Sequence, residues 1–110
     1  MAYRFGDVLL AQVPFSDGSG VKKRPVLVVH DLGDADLLVV PVTSHPPRAT
    51  EDLVLGDWAA AGLRLPSTVR LGKLATLAKA AVVRSMGRLN AGDEASARVV
   101  LERFFAAMLQ

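Results

Sequence analysis

Apolar residues over the first 44 positions come in short runs and alternations with a period of two. They recur at three- and four-residue spacing only near the end of the chain. Gly6 to Val13 predicts a first strand, apolar on both sides and closed by Pro14. Pro25 disfavours the α region for the residue before it, so Arg24 is extended and opens a second strand, Arg24 to His30. A third strand, Leu37 to Ser44, follows a turn-rich connection, Asp31 to Asp36, that reads as a hairpin. Alternation puts Arg24, Val26, Val28 and His30 on one face of the second strand. If His30 faces Leu37, then Val28 meets Val39, Val26 meets Pro41 and Arg24 meets Thr43. Cross-strand partners have Cβ atoms about 4.5 to 5.5 Å apart, so a guanidinium and a hydroxyl would address one small group. A slip of one residue would replace Thr43 by Ser44 or Val42. Pro41 cannot donate to a ladder, so regular pairing should end, bulge or meet an edge there.

Further on, His45 to Thr50 is stiffened by two prolines and irregular. Asp52 to Leu55 is a short strand candidate, and Asp57 to Gly62 suggests one or two helical turns, with Asp57 as N-cap and Gly62 as the stop. Thr68 to Leu71 and Leu74 to Leu77 read as short strands bent at Gly72, while Ala80 to Leu89 is ambiguous between strand and turn. Asn90 caps a terminal helix with Asp93 and Glu94 in its first turn, where the dipole favours negative charge. Its apolar face is Ala97, Val100, Leu101, Phe104 and Met108, widened by Phe105 and Leu109, which leaves room for a subunit contact. Short strands followed by one helix predict a mainly β fold with helical additions, a small antiparallel β-barrel in one domain over residues 1–110.

Composition narrows the class. The chain has 110 residues, 51% hydrophobic and 22% charged, which suits one globular core. No apolar run approaches the roughly 18 residues a membrane helix needs, and the start lacks a secretion-type apolar segment, so a cytoplasmic location is expected. There is no cysteine and there are only two histidines, so neither disulfides nor a transition-metal site is expected. Net charge is only +2, but it is segregated. No acid lies between Asp57 and Asp93, where Arg64, Arg70, Lys73, Lys79, Arg84 and Arg88 fall, a distribution suited to a polyanion if the bases converge. Phe15 to Gly20 is a loop of turn formers that delivers the chain to Lys22 and Lys23, the composition of a binding loop.

Several segments together resemble the MazF/PemK-type toxins of type II toxin–antitoxin systems. They are Gly6-Asp7-Val8, Pro14 to Gly20, Lys23-Arg24-Pro25 with the valine-rich strand after it, Pro41-Val42-Thr43-Ser44, Ala61-Gly62-Leu63 and Pro66 to Arg70, in family order over roughly residues 6–90. The resemblance implies an SH3-like barrel with a C-terminal helix, a homodimer, and an endoribonuclease that cuts single-stranded messenger RNA without metal or other cofactor. It also implies a cognate antitoxin whose flexible segment covers the RNA groove. The family's active-site arginine and threonine match Arg24 and Thr43, with Ser44 beside them. The chain departs from the family where an acid often stands, at Ser19, and where a second arginine and an aspartate often stand, at Ala75 and Ala78.

On that basis the expected chemistry is attack of an RNA 2′-hydroxyl on its own phosphate. Arg24 holds the phosphate, Thr43 and Ser44 donate to a non-bridging oxygen, and Asp17 or His45 serves as base. RNA contacts are expected from Phe15, Ser16, Asp17, Lys22, Lys23, His45, Arg70 and Lys73, with Phe15 stacking on a base. Two other readings stay open. One is the same barrel gripping RNA or an antitoxin without cutting. The other is a gyrase inhibitor of the CcdB type, although Met108-Leu109-Gln110 is unlike the Trp-Gly-Ile ending of those proteins.

Overall fold

The computed structural model describes residues 2–14 and 18–110. Its elements, in order, are β1 (Asp7–Pro14), β2 (Val21–Asp31), β3 (Asp36–Thr43), β4 (Asp52–Val54), β5 (Thr68–Arg70), β6 (Ala75–Ala78), β7 (Val82–Arg88) and α1 (Ala91–Met108). A single 3-10 turn, Lys79–Ala81, leads into β7. All pairings are antiparallel, and the strands lie in the order β4-β5-β3-β2-β1-β7, with β6 also against β3. The molecule measures 33 × 32 × 31 Å, nearly equal in all directions. The mainly β architecture with a terminal helix is the one the sequence predicts.

Strand β3 is the hub. One edge pairs with β2, while the other pairs first with β6, through Asp36 to Val39, and then with β5, through Val42 and Thr43. Near its functional end the β2–β3 register is as expected: Val26 meets Pro41 and Val28 meets Val39. The ladder stops at Pro41, the residue without an N–H to offer. Towards the turn a bulge shifts the register, so that His30 pairs with Leu38 rather than Leu37. The extra residue on β2 bends that strand and increases its local twist.

Both faces of the central strands are buried, which explains why β1 is apolar on both sides. One face packs Val8, Leu27, Val40 and Val42 against Leu63, Val69, Leu71 and the Ala97 and Leu101 side chains of α1. The opposite face packs Leu9, Ala11, Val26, Val28, Leu37 and Val39 with Leu77. Met108, the last residue of α1, is 54% exposed and Leu109 after it 85%, so Met108 does not join the packed face expected of it.

The stretch expected to be a short helix, Asp57 to Gly62, is a series of turns instead. Asp57 does accept the Ala60 N–H at 3.1 Å. Six residues gain too few hydrogen bonds to offset helix nucleation, and tertiary packing takes over. Gly62, at φ +81°, lies directly on β7, where a Cβ would come within 2.0 Å of the Met86 carbonyl oxygen. The ambiguous segment Ala80 to Leu89 resolves into the 3-10 turn and β7.

Charged side chains stitch distant parts together. Asp93 is buried, and its carboxylate accepts the N–H groups of Gly56 at 2.8 Å and Asp57 at 2.9 Å, while its own N–H donates to the Asn90 cap. Arg88 joins Asp7, Glu94 at 2.9 Å and the Phe5 carbonyl at 3.1 Å. Asp31 accepts from Lys79 Nζ at 2.8 Å and from the N–H groups of Tyr3 and Gly33, both at 2.9 Å. The Lys79 ammonium and those two N–H donors hold the Asp31 carboxyl far below the ordinary aspartate value of 3.8.

That displacement has a defined sign. The folded protein keeps Asp31 ionised at pH values where the unfolded chain takes up a proton, so stability is complete above about pH 4 and falls as pH drops through the range below it. Acid titration of the melting temperature should show a steep loss over this window, and Asp31→Asn should flatten it while lowering stability at neutral pH. An unchanged acid limb in the variant would remove Asp31 from the account.

Candidate active site

Arg24 and Thr43 each stand two residues beyond the last β2–β3 pair, on the face that also carries Val26 and Pro41. Arg24 is paired through its backbone with Ala11 of β1, and Thr43 with Thr68 of β5, so both rest on strands rather than loops. Both line the same two clefts, together with Pro25 and Val42. The four residues form a saddle between a wider cleft of about 650 Å³ and a narrower one of about 390 Å³. Thr43 Oγ1 accepts the His45 N–H at 3.2 Å, which leaves the hydroxyl hydrogen available to donate into the saddle. Arg24 is exposed and has no ion pair among the described residues.

The wider cleft carries His45, Arg48, Arg70 and Lys73, and Ala75 contributes only a methyl group to its wall. Arg70 is already engaged: its Nε donates to both oxygens of Asp52, at 3.1 and 3.2 Å. Burial pushes the Asp52 carboxyl up, but the Arg48 N–H and the Arg70 guanidinium outweigh it and hold the group below the ordinary value. The narrower cleft has Arg64 and Arg84 over walls of Leu10, Leu63, Leu65 and Met86. Among the described residues, no carboxylate lines either cleft. The acid-free stretch between Asp57 and Asp93 is thereby sorted. Arg70, Lys79 and Arg88 pair with Asp52, Asp31 and Asp7, whereas Arg64, Lys73 and Arg84 have no ion pair among the described residues.

Of the candidate residues, the structure brings Arg24, Thr43 and Ser44 to one rim, and His45, Arg70 and Lys73 to the wider cleft. Lys22 and Lys23 are exposed on β2 and line neither cleft. Phe15, Ser16 and Asp17 lie outside the described residues. Sequence reasoning missed Arg48, which β-propensity cannot place, and did not single out Arg64 and Arg84 from the acid-free run that contains them.

A family model described as PemK-like, MazF-like toxin of type II toxin–antitoxin system matches residues 4–105. The chain belongs to this toxin family. No curated protein matches it significantly in sequence. Among solved structures, the PemK/MazF fold is shared with an endoribonuclease in complex with its cognate antitoxin from a mycobacterial species, at TM-score 0.74, 18% identity and 96% coverage of both chains. A MazF toxin of Mycobacterium tuberculosis superposes at TM-score 0.73 with 23% identity, over 91% of this chain and 96% of that one. A MazE–MazF structure from Deinococcus radiodurans superposes at 0.75 with 15% identity, over 96% and 98%. No helix of the described residues is long and apolar enough to cross a membrane.

Proposed function

We propose that this toxin is an endoribonuclease that cuts single-stranded RNA by transesterification. The observation that carries the reading is the saddle: a strand-borne guanidinium and a hydroxyl free to donate, facing the same space between two clefts rich in cations and, among the described residues, free of carboxylates. The 2′-oxygen attacks the adjacent phosphorus as the bond to the 5′-oxygen breaks. The attacking hydroxyl gives its proton to a base, and the departing 5′-oxygen gains one. The products are a 2′,3′-cyclic phosphate and a 5′-hydroxyl.

Arg24 binds the phosphate as a fork and offsets the charge that builds on its oxygens. Thr43 donates to one non-bridging oxygen, and Ser44 supplies a second hydroxyl at the rim. His45, on the wider cleft, and Asp17, which precedes β2 in the sequence, are the candidate bases. Lys73, and Arg70 through the terminal nitrogens that its Nε bond to Asp52 leaves over, hold flanking phosphates, with Lys22, Lys23, Phe15 and Ser16 completing the approach.

The toxin–antitoxin kinship and the antitoxin complex of a structural neighbour support a cognate antitoxin as partner, one that competes with cytoplasmic RNA for these clefts. Exposed Phe105, Met108 and Leu109 offer an apolar surface for a homodimer. A second reading rests on Ala75 and Ala78, where relatives carry an arginine and an aspartate: a barrel that grips RNA without cutting it.

Purified protein incubated with a mixed single-stranded RNA, with and without EDTA, separates the two. Chelator-resistant scission leaving cyclic phosphate ends is expected. Loss of about 10²-fold or more in only one of His45→Ala and Asp17→Ala identifies the base. Intact RNA under conditions where it is bound favours the second reading.

A further inference from the structure

Asp52 is an acid in an unfavourable place. Its side chain is only 2% exposed and does not line the wider cleft, yet it is bonded to two residues that do. A carboxylate so near a site for a polyanion opposes binding through its charge, and any benefit comes from its hydrogen bonds. Those bonds order two arginines. Asp52 of β4 is the cross-strand partner of Arg70 of β5, and both its oxygens accept the Arg70 Nε–H, at 3.1 and 3.2 Å. One oxygen also accepts the Arg48 N–H at 2.9 Å, while the Asp52 N–H donates to the Ala49 carbonyl at 3.1 Å. The chain from Arg48 to Asp52 is thus closed on itself, and Pro46 and Pro47 fix φ just ahead of it. Two guanidiniums then reach the cleft from different segments. Arg48 is exposed and has no ion pair among the described residues. Arg70 has committed Nε and keeps both terminal nitrogens.

Resting on the endoribonuclease reading, we infer that Asp52 is a positioning residue that presets Arg48 and Arg70 as a pair of guanidinium forks for backbone phosphates flanking the cut. Asp52 itself touches no RNA. It holds the plane of Arg70 still and fixes where the Arg48 side chain leaves the backbone, so the strand meets cations whose freedom has already been given up. Charge and position then predict opposite signs. Neutralising Asp52 makes the surface more positive, so through the field alone RNA would bind more tightly. Through the loss of position it binds more weakly.

The test uses the full chain and two RNAs: a cleavable mixed RNA, and a short fully 2′-O-methylated RNA that binds without reacting. Asp52→Asn should weaken binding of the methylated RNA on the order of tenfold, the worth of a hydrogen bond to a charged group. KM for the cleavable RNA should rise in proportion, with kcat far less affected than in Arg24→Ala. Glu102→Gln, the same charge change on the exposed side of α1, is the control and should bind no more weakly than wild type. Arg48→Ala should make the slope of log binding constant against log salt shallower by about 0.7. In a background of Arg48→Ala with Arg70→Ala, Asp52→Asn should have no further weakening effect. Arg70→Lys covers an Asp52→Asn chain that fails to fold. Its ammonium keeps the ion pair with Asp52 but has no second edge to offer, so the melting temperature should stay near wild type while binding falls as in Arg70→Ala.

Asp52→Asn binding the methylated RNA as tightly as wild type, or more tightly, overturns the positioning role. So does an equal loss in the background without the two arginines, or an Arg70→Lys variant that binds like wild type. If Asp52→Asn weakens binding as expected but the wild type never cuts RNA, the positioning role stands and the endoribonuclease reading falls. If the wild type cuts RNA and Asp52→Asn binds it no more weakly, the reverse holds.

Discussion

Replacing Arg24 by alanine should lower kcat/KM for RNA by about 10³-fold or more, with the melting temperature nearly unchanged. The first expectation follows from what the side chain would do: a fixed guanidinium facing a transition-state phosphate commonly contributes about 10³ to 10⁵ in rate, and one neutral donor about 10² to 10³. The second follows from its surroundings. Arg24 is exposed and has no ion pair among the described residues, so truncation leaves no buried carboxylate behind. Arg24→Lys keeps the charge but loses the fork and should fall between wild type and alanine. Thr43→Val removes the hydroxyl at nearly constant shape. Because both groups address one phosphate, the double variant should lose less than the product of the single losses. Initial-rate measurements on one defined RNA decide this, and wild-type cutting by Arg24→Ala would remove the guanidinium from the mechanism.

The largest expected effect on stability lies at a glycine rather than at a charged group. Gly62→Ala should cost about 3 kcal/mol or more, or prevent folding. A left-handed backbone costs an L-residue about 1–2 kcal/mol, and forcing an atom into packed surroundings adds about 1–3 kcal/mol. Here the added Cβ would fall 2.0 Å from the Met86 carbonyl oxygen, and backbone cannot swing aside as a side chain can. Gly33 supplies the control, since its φ is also +81° but nothing lies within 4 Å of where its Cβ would stand. Gly33→Ala should therefore show the backbone cost alone. Urea denaturation of both variants measures the difference, and equal losses would mean that the contact with β7 contributes nothing.

Much of the site was legible because it depends on strand parity and one proline. Val26, Val28, Val39 and Pro41 fix the register of β2 on β3 by alternation and burial, and that register carries Arg24 and Thr43 to one face whatever happens at the turn. The bulge that displaces His30 was not legible, since it answers to strand twist rather than to any residue pattern. Neither was the fate of the acid-free stretch. Arg70 finds Asp52 at a separation of 18 residues and Arg88 finds Asp7 at 81, so only the fold distinguishes cations that hold it together from those left to face a ligand. Asp57 to Gly62 misled for a related reason: its capping residue behaves as expected, but the turn is shaped by β7, which lies about twenty residues further along the chain.

Strand β2 carries opposite charges at its two ends. It begins with Lys22, Lys23 and Arg24 and finishes at Asp31, from which the turn continues through Asp34 to Asp36. Asp31 is matched by Lys79, whereas Asp34 and Asp36 have no ion pair among the described residues, so net negative charge stands past the Asp31 end of the strand, about 23 Å from Arg24 at the usual rise per residue. A molecule of small net charge thus carries a sizeable permanent electric moment along its longest strand. An approaching polyanion is turned, before contact, so that it arrives at the arginine pole, and the rate of productive encounter declines as added electrolyte shortens the reach of that field.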